Sequence, residues 1–210
     1  MKTLVIANQK GGAGKTTFAA HLAVMAESAG DGPVALIDTD PQASLAKWWN
    51  KREAATPAFS VATVQGLRDH LAALAASGVK LAIIDTPPAV TATIQAVIAQ
   101  ADLVLIPTRP SPLDLEAVGA TVEIVEAAGR RMVFAVNGAA NRAKITGDAA
   151  VALSQHGTVA PVTMYQRTLF AESMIDGRTA QEIDPAGKAA DEVGRLWAYV
   201  STHLRKDVRK

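Results

Sequence analysis

The sequence predicts an α/β fold, a mostly parallel twisted sheet with helices on both faces, and three observations predict it. Short continuous apolar runs alternate with helical patterns from end to end, as strands buried on both faces and their crossover helices do. The composition is 49% hydrophobic but only 4% aromatic, as suits alanine-rich helices and β-branched strands. A glycine-rich loop joins the first apolar run to the first helical pattern.

Taken in order, Thr3–Ala7 reads as a buried strand, Phe18–Ala26 as a helix and Gly30–Pro33 as a turn. Val34–Asp38 is the next strand, running into Asp38-Thr39-Asp40-Pro41-Gln42, and Ala43–Lys51 is helical. Glu53–Ser60 reads as a loop and Val61–Val64 as a short strand. Gly66–Ser77 is a helix because Leu67, Leu71 and Leu74 fall on one face. Then come strand Val79–Asp85, helix Ala92–Gln100, strand Leu103–Pro107, loop Thr108–Pro112, helix Leu113–Ala128 and strand Arg131–Asn137. Gly147–Gln155 is helical, Thr158–Val162 a short edge strand, Gln166–Met174 a short helix and Pro185–His203 the last helix. With no repeat or linker, all 210 residues are expected to form one domain, residues 204–210 being a frayed basic tail.

The loop Gln9-Lys10-Gly11-Gly12-Ala13-Gly14-Lys15-Thr16-Thr17 sits between strand and helix, the context that a phosphate-binding loop requires. Its glycines let the backbone approach a polyphosphate, and its N–H groups and the helix N-terminus point at the anion. Lys15 is placed to neutralise β/γ-phosphates and the Thr16 hydroxyl to ligate Mg²⁺. The fold class is therefore that of a P-loop NTPase. Asp85 ends an apolar strand, where a carboxylate either holds Mg²⁺ or caps a turn. Asp38 and Asp40 stand two apart at another strand's end. If strand geometry lasts through Asp40, both face one space, one helping to hold metal-bound water and one positioning the attacking water. The other reading of Asp40-Pro41 is a turn.

The absence of cysteine excludes disulfides, thiol nucleophiles and cysteine-held metals. No apolar run approaches a membrane span, and no signal peptide is evident. With a net charge of +1, any DNA affinity must come from a local basic patch. Candidates are Lys188, Arg205 and Lys206, joined by Arg167, Arg178, Arg195, Arg209 and Lys210. Trp48-Trp49 reads as one core residue and one half-exposed, or as a partner surface. The four histidines suggest no metal site.

The loop departs from G-x-x-x-x-G-K-[ST]: Gln9 stands in place of the first glycine, and Lys10 lies inside. That form, K-G-G-x-G-K-T, resembles the deviant Walker A loop of the ParA/MinD ATPases. Asp38-Thr39-Asp40-Pro41-Gln42 resembles the first switch of ParA proteins. Ile106-Pro107-Thr108-Arg109-Pro110-Ser111-Pro112-Leu113-Asp114 resembles the P-x-x-P-S-P-x-D segment of the small ones. Val136-Asn137, Gln166-Arg167, Glu172-Ser173, Gly177 and Glu182-x-Asp184 extend the likeness, which is closest to the ParF-like subgroup. The resemblance implies an ATPase using ATP and Mg²⁺, weak until stimulated by a small ParB/ParG-like partner. It implies that Lys10 crosses an ATP-bound homodimer to the partner's nucleotide and that Asp40 is tied to hydrolysis. Lys10, Gly11, Gly12, Ala13, Gly14, Lys15, Thr16 and Thr17 hold nucleotide, Asn137 and Arg167 lie near the base, and Thr16, Asp38 and Asp85 serve the metal. It further implies nonspecific double-stranded DNA binding, a cytoplasmic, nucleoid-associated protein, and a plasmid or other cargo; filaments stay open. Because Gln9 opens the loop so early, no helix-turn-helix is expected before it. Stable membrane association is not expected, because Val193, Leu196, Trp197 and Val200 on the last helix read as a core-docking face. The alternatives are a MinD-like membrane-cycling ATPase and a dethiobiotin-synthetase-type phosphotransferase.

Overall fold

The computed structural model describes residues 1–88 and 91–206 of the chain. Residues Asp207, Val208, Arg209 and Lys210, including two of the candidate DNA contacts, lie outside the described residues. The elements run β1 (Lys2–Ile6), α1 (Lys15–Ser28), β2 (Val34–Asp38), α2 (Ser44–Trp49), β3 (Ala58–Val61), α3 (Leu67–Ala76), β4 (Leu81–Asp85), α4 (Thr91–Ile98) and β5 (Leu103–Thr108). They continue with α5 (Pro112–Ala127), β6 (Met132–Ala139), α6 (Lys144–Ser154), β7 (Thr158–Val159), β8 (Met164–Tyr165), α7 (Thr168–Ser173), α8 (Ala180–Ile183) and α9 (Lys188–Arg205).

The strands form one sheet in the order β3-β2-β4-β1-β5-β6-β7, with β8 also paired to β6. Every described pairing is parallel. Alternation along each strand sorts side chains between two cores. Leu4 and Ile6 of β1 join α1 and α9 on one face through Leu22, Val193, Leu196 and Trp197. Val5 and Ala7 join α3, α4 and α5 on the other through Leu71, Ile94, Val97 and Val122. Both faces are covered, as a parallel sheet requires.

α1 opens at Lys15 rather than Phe18, α9 runs on through Leu204 and Arg205 of the expected tail, and two elements after β2 also need correction. The edge strand is Ala58–Val61, not Val61–Val64. Its register aligns Ala58 with Ala35 and Val61 with Asp38, so it ends level with β2. Residues 58–60, expected to be loop, lack a clear apolar alternation because an edge strand is half solvated. The helix after Asp40 is shorter than Ala43–Lys51, and Ala43 has φ 53°, outside it. Trp48 is in the core, its indole Nε1 donating to the Arg178 carbonyl, whereas Trp49 is half-buried and stacks on Phe59.

His21, to which the sequence assigned no role, is fully buried on α1. Its Nδ1 meets the Thr17 carbonyl at 2.8 Å, and its Nε2 accepts from Ala180 N–H at 3.0 Å. Only the neutral ring serves both contacts, and burial lowers its pKa to about 4. The unfolded chain, with a pKa near 6.5, therefore takes up the proton first, and stability falls as pH drops from about 6.5 toward about 4. His21→Gln is expected to destabilise the chain strongly at pH 7, and by roughly 2 kcal/mol less at pH 5, where the parent has lost part of this contribution. Urea midpoints of both proteins at the two pH values check this; an equal difference at both would contradict it.

Candidate functional site

All parallel strands end on one edge, and β1, β4 and β2 end there in one row: Ile6 pairs with Asp85, and Asp85 with Asp38. The residues just beyond these strand ends build the site. Thr86 Oγ1 donates to the Ile6 carbonyl and Thr39 Oγ1 to the Asp85 carbonyl, which ties the row together. Asn8 Nδ2 donates to Pro107 O at 2.8 Å, and Asn8 Oδ1 accepts Lys10 N–H at 2.8 Å, so β5 and the glycine loop share one anchor.

The loop turns through Gly12 at φ 74° and Gly14 at φ 99°, a region that disfavours a Cβ. A Cβ at Gly14 would stand 2.3 Å from Asn137 Nδ2, so a side chain there would also displace that amide. A Cβ at Gly11 or Gly12 would meet nothing within 4 Å, so that side of the loop faces open space. Asn137 Nδ2 donates to the Ala13 carbonyl at 2.7 Å, docking β6 onto the loop.

Lys15 opens α1 and is buried, its Nζ 3.2 Å from the Lys10 carbonyl. Burial lowers its pKa, while Asp85 and Asp40 oppose that fall. Asp85 is 1% exposed. Its Oδ2 accepts the Thr16 hydroxyl at 2.6 Å, and its Oδ1 has no hydrogen-bond partner among the described residues. Burial pushes its pKa up to about 7, the Thr16 hydrogen bond opposing and Asp38 adding to the rise. A buried carboxylate with an orphaned oxygen beside a threonine hydroxyl fits a hard cation with oxygen ligands.

Asp38 differs from its neighbour. Oδ1 accepts Asp40 N–H at 2.9 Å and Oδ2 accepts Ala46 N–H at 3.0 Å. It thereby satisfies one of the orphan N–H groups of α2, whose N-cap Ala43 has no side chain to do so. Burial raises its pKa, and these hydrogen bonds oppose the rise. The strand does not last through Asp40: β2 stops at Asp38, and Asp40 Oδ1 accepts Gln42 N–H in a turn. The turn reading and the site reading of Asp40 thus coincide, since its charge still acts on Lys15 and Asp85.

Lys10 Nζ lies 3.8 Å from Asp114 Oδ2, with the lysine side chain 32% exposed. Asp114 sits in the first turn of α5, whose cap Ser111 accepts its N–H. Beyond the loop a cavity of about 680 Å³ opens between α1, β6, α7 and α9. Asn137 and Arg167 both line it, but Arg167 Nε donates to the buried Glu192 Oε1 at 3.0 Å and its guanidinium leans on Tyr165. Phe18, Met164, Tyr165 and Phe170 also line it. Sequence reading assigned none of these to the site; Met164 and Tyr165 form β8, which is two residues long and carries no periodicity.

Among the described candidate DNA contacts, Lys188 is not brought together with Arg205 and Lys206. Lys188 opens α9 and Arg205 closes it, about 25 Å apart at helical rise. Arg205 Nη2 is 2.6 Å from Asp31 Oδ1, while Lys206 lies near Arg195, Tyr199 and His203. The expected single patch around Lys188 and the C-terminal end is therefore two patches.

A family model described as the CobQ/CobB/MinD/ParA nucleotide binding domain matches residues 4–180. Maintenance of carboxysome distribution protein A of Halothiobacillus neapolitanus is 30% identical over 212 residues, spanning 92% of this chain and 94% of that protein. Protein ParA of Rhizobium radiobacter is 33% identical over 142 residues, 65% of this chain and 63% of its own. Among solved structures, the septum site-determining protein MinD complexed with Mg-ADP from Pyrococcus horikoshii OT3 superposes with a TM-score of 0.81 at 16% identity, covering 100% of this chain and 99% of that one. That likeness shows the fold. The chain belongs to the CobQ/CobB/MinD/ParA nucleotide-binding family and is an ATPase of the ParA/MinD type.

Proposed function

We propose that this ATPase, as a single domain over residues 1–210, positions a cargo by a nucleotide-driven cycle of pairing, DNA binding and release. The observation that carries the reading is Lys10, a second lysine on the exposed rim of a loop whose own cation, Lys15, is already in place. The Lys10–Asp114 pair is long and part-exposed, so it is worth about 1 kcal/mol or less and costs little to exchange for a partner's nucleotide.

In this reading the backbone N–H groups of residues 11–17 and Lys15 hold the phosphates, and Thr16 and Asp85 hold Mg²⁺, with Asp38 fixing its waters. Bound Mg²⁺ supplies charge neutralisation on the β- and γ-phosphates. Asp40, in its turn, orients the attacking water, and Lys15 with the partner copy's Lys10 stabilises charge on the transferring group. Asn137 and Arg167 frame the base, Arg167 being held as a wall by Glu192. Asp38, which caps α2, links the switch to that helix.

A small partner protein accelerates hydrolysis and resets the cycle. The relatives named for carboxysome distribution and as ParA support a protein assembly or a plasmid as cargo. A membrane-cycling role has less support: among the described residues no helix is long and apolar enough to cross a membrane, and α9 buries Val193, Leu196, Trp197, Val200 and Leu204.

Among the described residues the candidate contacts form small patches at Lys188 and at Arg205 and Lys206, so one copy grips few phosphates. Pairing makes the second contact effectively intramolecular. DNA binding is therefore expected to need ATP, to ignore sequence and to weaken steeply with salt. A salt series with ADP, with ATP, and with ATP plus Lys188→Glu or Lys206→Glu tests this. Equal binding with ADP and ATP would refute the switch. An unchanged salt slope in either variant would remove that residue from the interface.

A further inference from the structure

The loop between β5 and α5 carries a side chain that the proposed cycle does not use. Arg109 follows the buried end of β5 and precedes the Ser111 cap of α5, and its carbonyl accepts Ser111 N–H at 2.9 Å, so its backbone is held. Its side chain runs along Gly138 of β6. A Cβ at Gly138 would stand 3.5 Å from Arg109 Nε and 3.6 Å from Cγ, and Gly138 itself has φ 64°. Arg109 lines the cavity beyond the phosphate loop together with Gly14, Thr17, Asn137 and Gly138.

The other cations around the site are engaged: Lys10 with Asp114, Lys15 with a backbone carbonyl, Arg167 with Glu192. The Arg109 side chain has no hydrogen bond or ion pair among the described residues. The cavity it lines takes in Gly14 and Thr17 but not Lys15, Thr16 or Asp85. It is thus the space for the nucleoside end of the ligand, not for the terminal phosphate.

We propose that Arg109 is a nucleoside clamp, its planar guanidinium lying on the base and ribose of the nucleotide held in this cavity; this rests on the nucleotide-site reading of the proposed function. A guanidinium stacks on an aromatic face and donates to hydroxyls from one plane, which an ammonium does not do. No ion pair among the described residues has to break for it to close. Because it touches the nucleoside, it contributes alike to ATP and ADP, and nothing to a bare polyphosphate chain.

The test is calorimetric titration of the parent chain, Arg109→Ala and Arg109→Lys with a non-hydrolysable ATP analogue, with ADP and with inorganic tripolyphosphate, all with Mg²⁺. Arg109→Ala should weaken both nucleotides by the same factor, about three- to tenfold, and leave tripolyphosphate unchanged. Arg109→Lys should recover only part of the loss, and it serves alone if the alanine variant does not fold. Unchanged nucleotide affinity in the variants would overturn the clamp. So would a loss shared by the ATP analogue and tripolyphosphate but absent with ADP, which would place Arg109 at the γ-phosphate. A parent chain that binds neither nucleotide would instead overturn the site reading on which the clamp rests.

Discussion

Lys15→Ala is expected to bind neither ATP nor ADP at concentrations that saturate the parent chain, a loss of at least about a hundredfold, or roughly 3 kcal/mol. Lys15 is the buried cation at the mouth of the loop, and burial already weakens its hold on its proton. A group kept charged in a poorly hydrated place is attracted strongly to an arriving polyphosphate. Without it, Asp85, Asp38 and Asp40 face the phosphates with less opposition. Lys15→Gln, which keeps most of the volume, should fail in the same way, separating charge from packing. Unfolding is checked by circular dichroism. Normal ATP affinity in either folded variant would remove the phosphate-loop assignment.

Asp85→Asn is expected to do two opposite things. In the metal-free chain it should stabilise. Burial raises the Asp85 pKa to about 7, against an ordinary value of 3.8. The folded state therefore holds the proton more tightly than the unfolded one, and stability falls as pH rises from about 4 through about 7. Asparagine keeps an acceptor for the Thr16 hydroxyl and never ionises, so at pH 8 the gain should be about 2–4 kcal/mol, shrinking to near zero at pH 4. At the same time Mg²⁺-dependent turnover should fall by about a hundredfold or more, because the buried oxygen that would hold the ion is gone. The pairing of higher stability with lost activity marks a carboxylate kept for function at a cost in stability. Thermal unfolding at pH 4 and pH 8, with steady-state hydrolysis, reads both. A variant less stable than the parent at pH 8 would show that Asp85 is a structural cap.

What was legible in the sequence is what is local. The glycine loop between a strand and a helix carries its own geometry, so Gly14 at positive φ with Lys15 and Thr16 directly after it sit where the spacing put them, although α1 opens at Lys15 and not at Phe18. Asp38 and Asp85 at the ends of apolar strands were legible too, because parallel strands in one sheet end on one edge. What could not be read depends on contacts between distant positions. Glu192 reaches Arg167 across 25 residues, His21 meets Ala180 across 159, and Arg52 donates to Glu182 across 130. No periodicity announces such pairs. Lys10 on Asp114 is of the same kind. The edge strand was displaced because only its pairing with β2 defines it, and Asp40 lies beyond the strand because Asp38 turns the backbone back onto itself.

Whether Lys10 completes the site of a second copy is tested most directly by mixing two dead variants. Lys10→Ala keeps its own Asp40 but offers nothing across the interface; Asp40→Ala offers Lys10 but cannot orient water. Each alone should show almost no Mg·ATP turnover. In an equimolar mixture, half the pairs combine the two, and each such pair holds one site with its own Asp40 and the other copy's Lys10. Turnover should therefore recover to about a quarter of the parent value. A mixture no more active than the mean of its two components would contradict action in trans, as would parental turnover by Lys10→Ala alone.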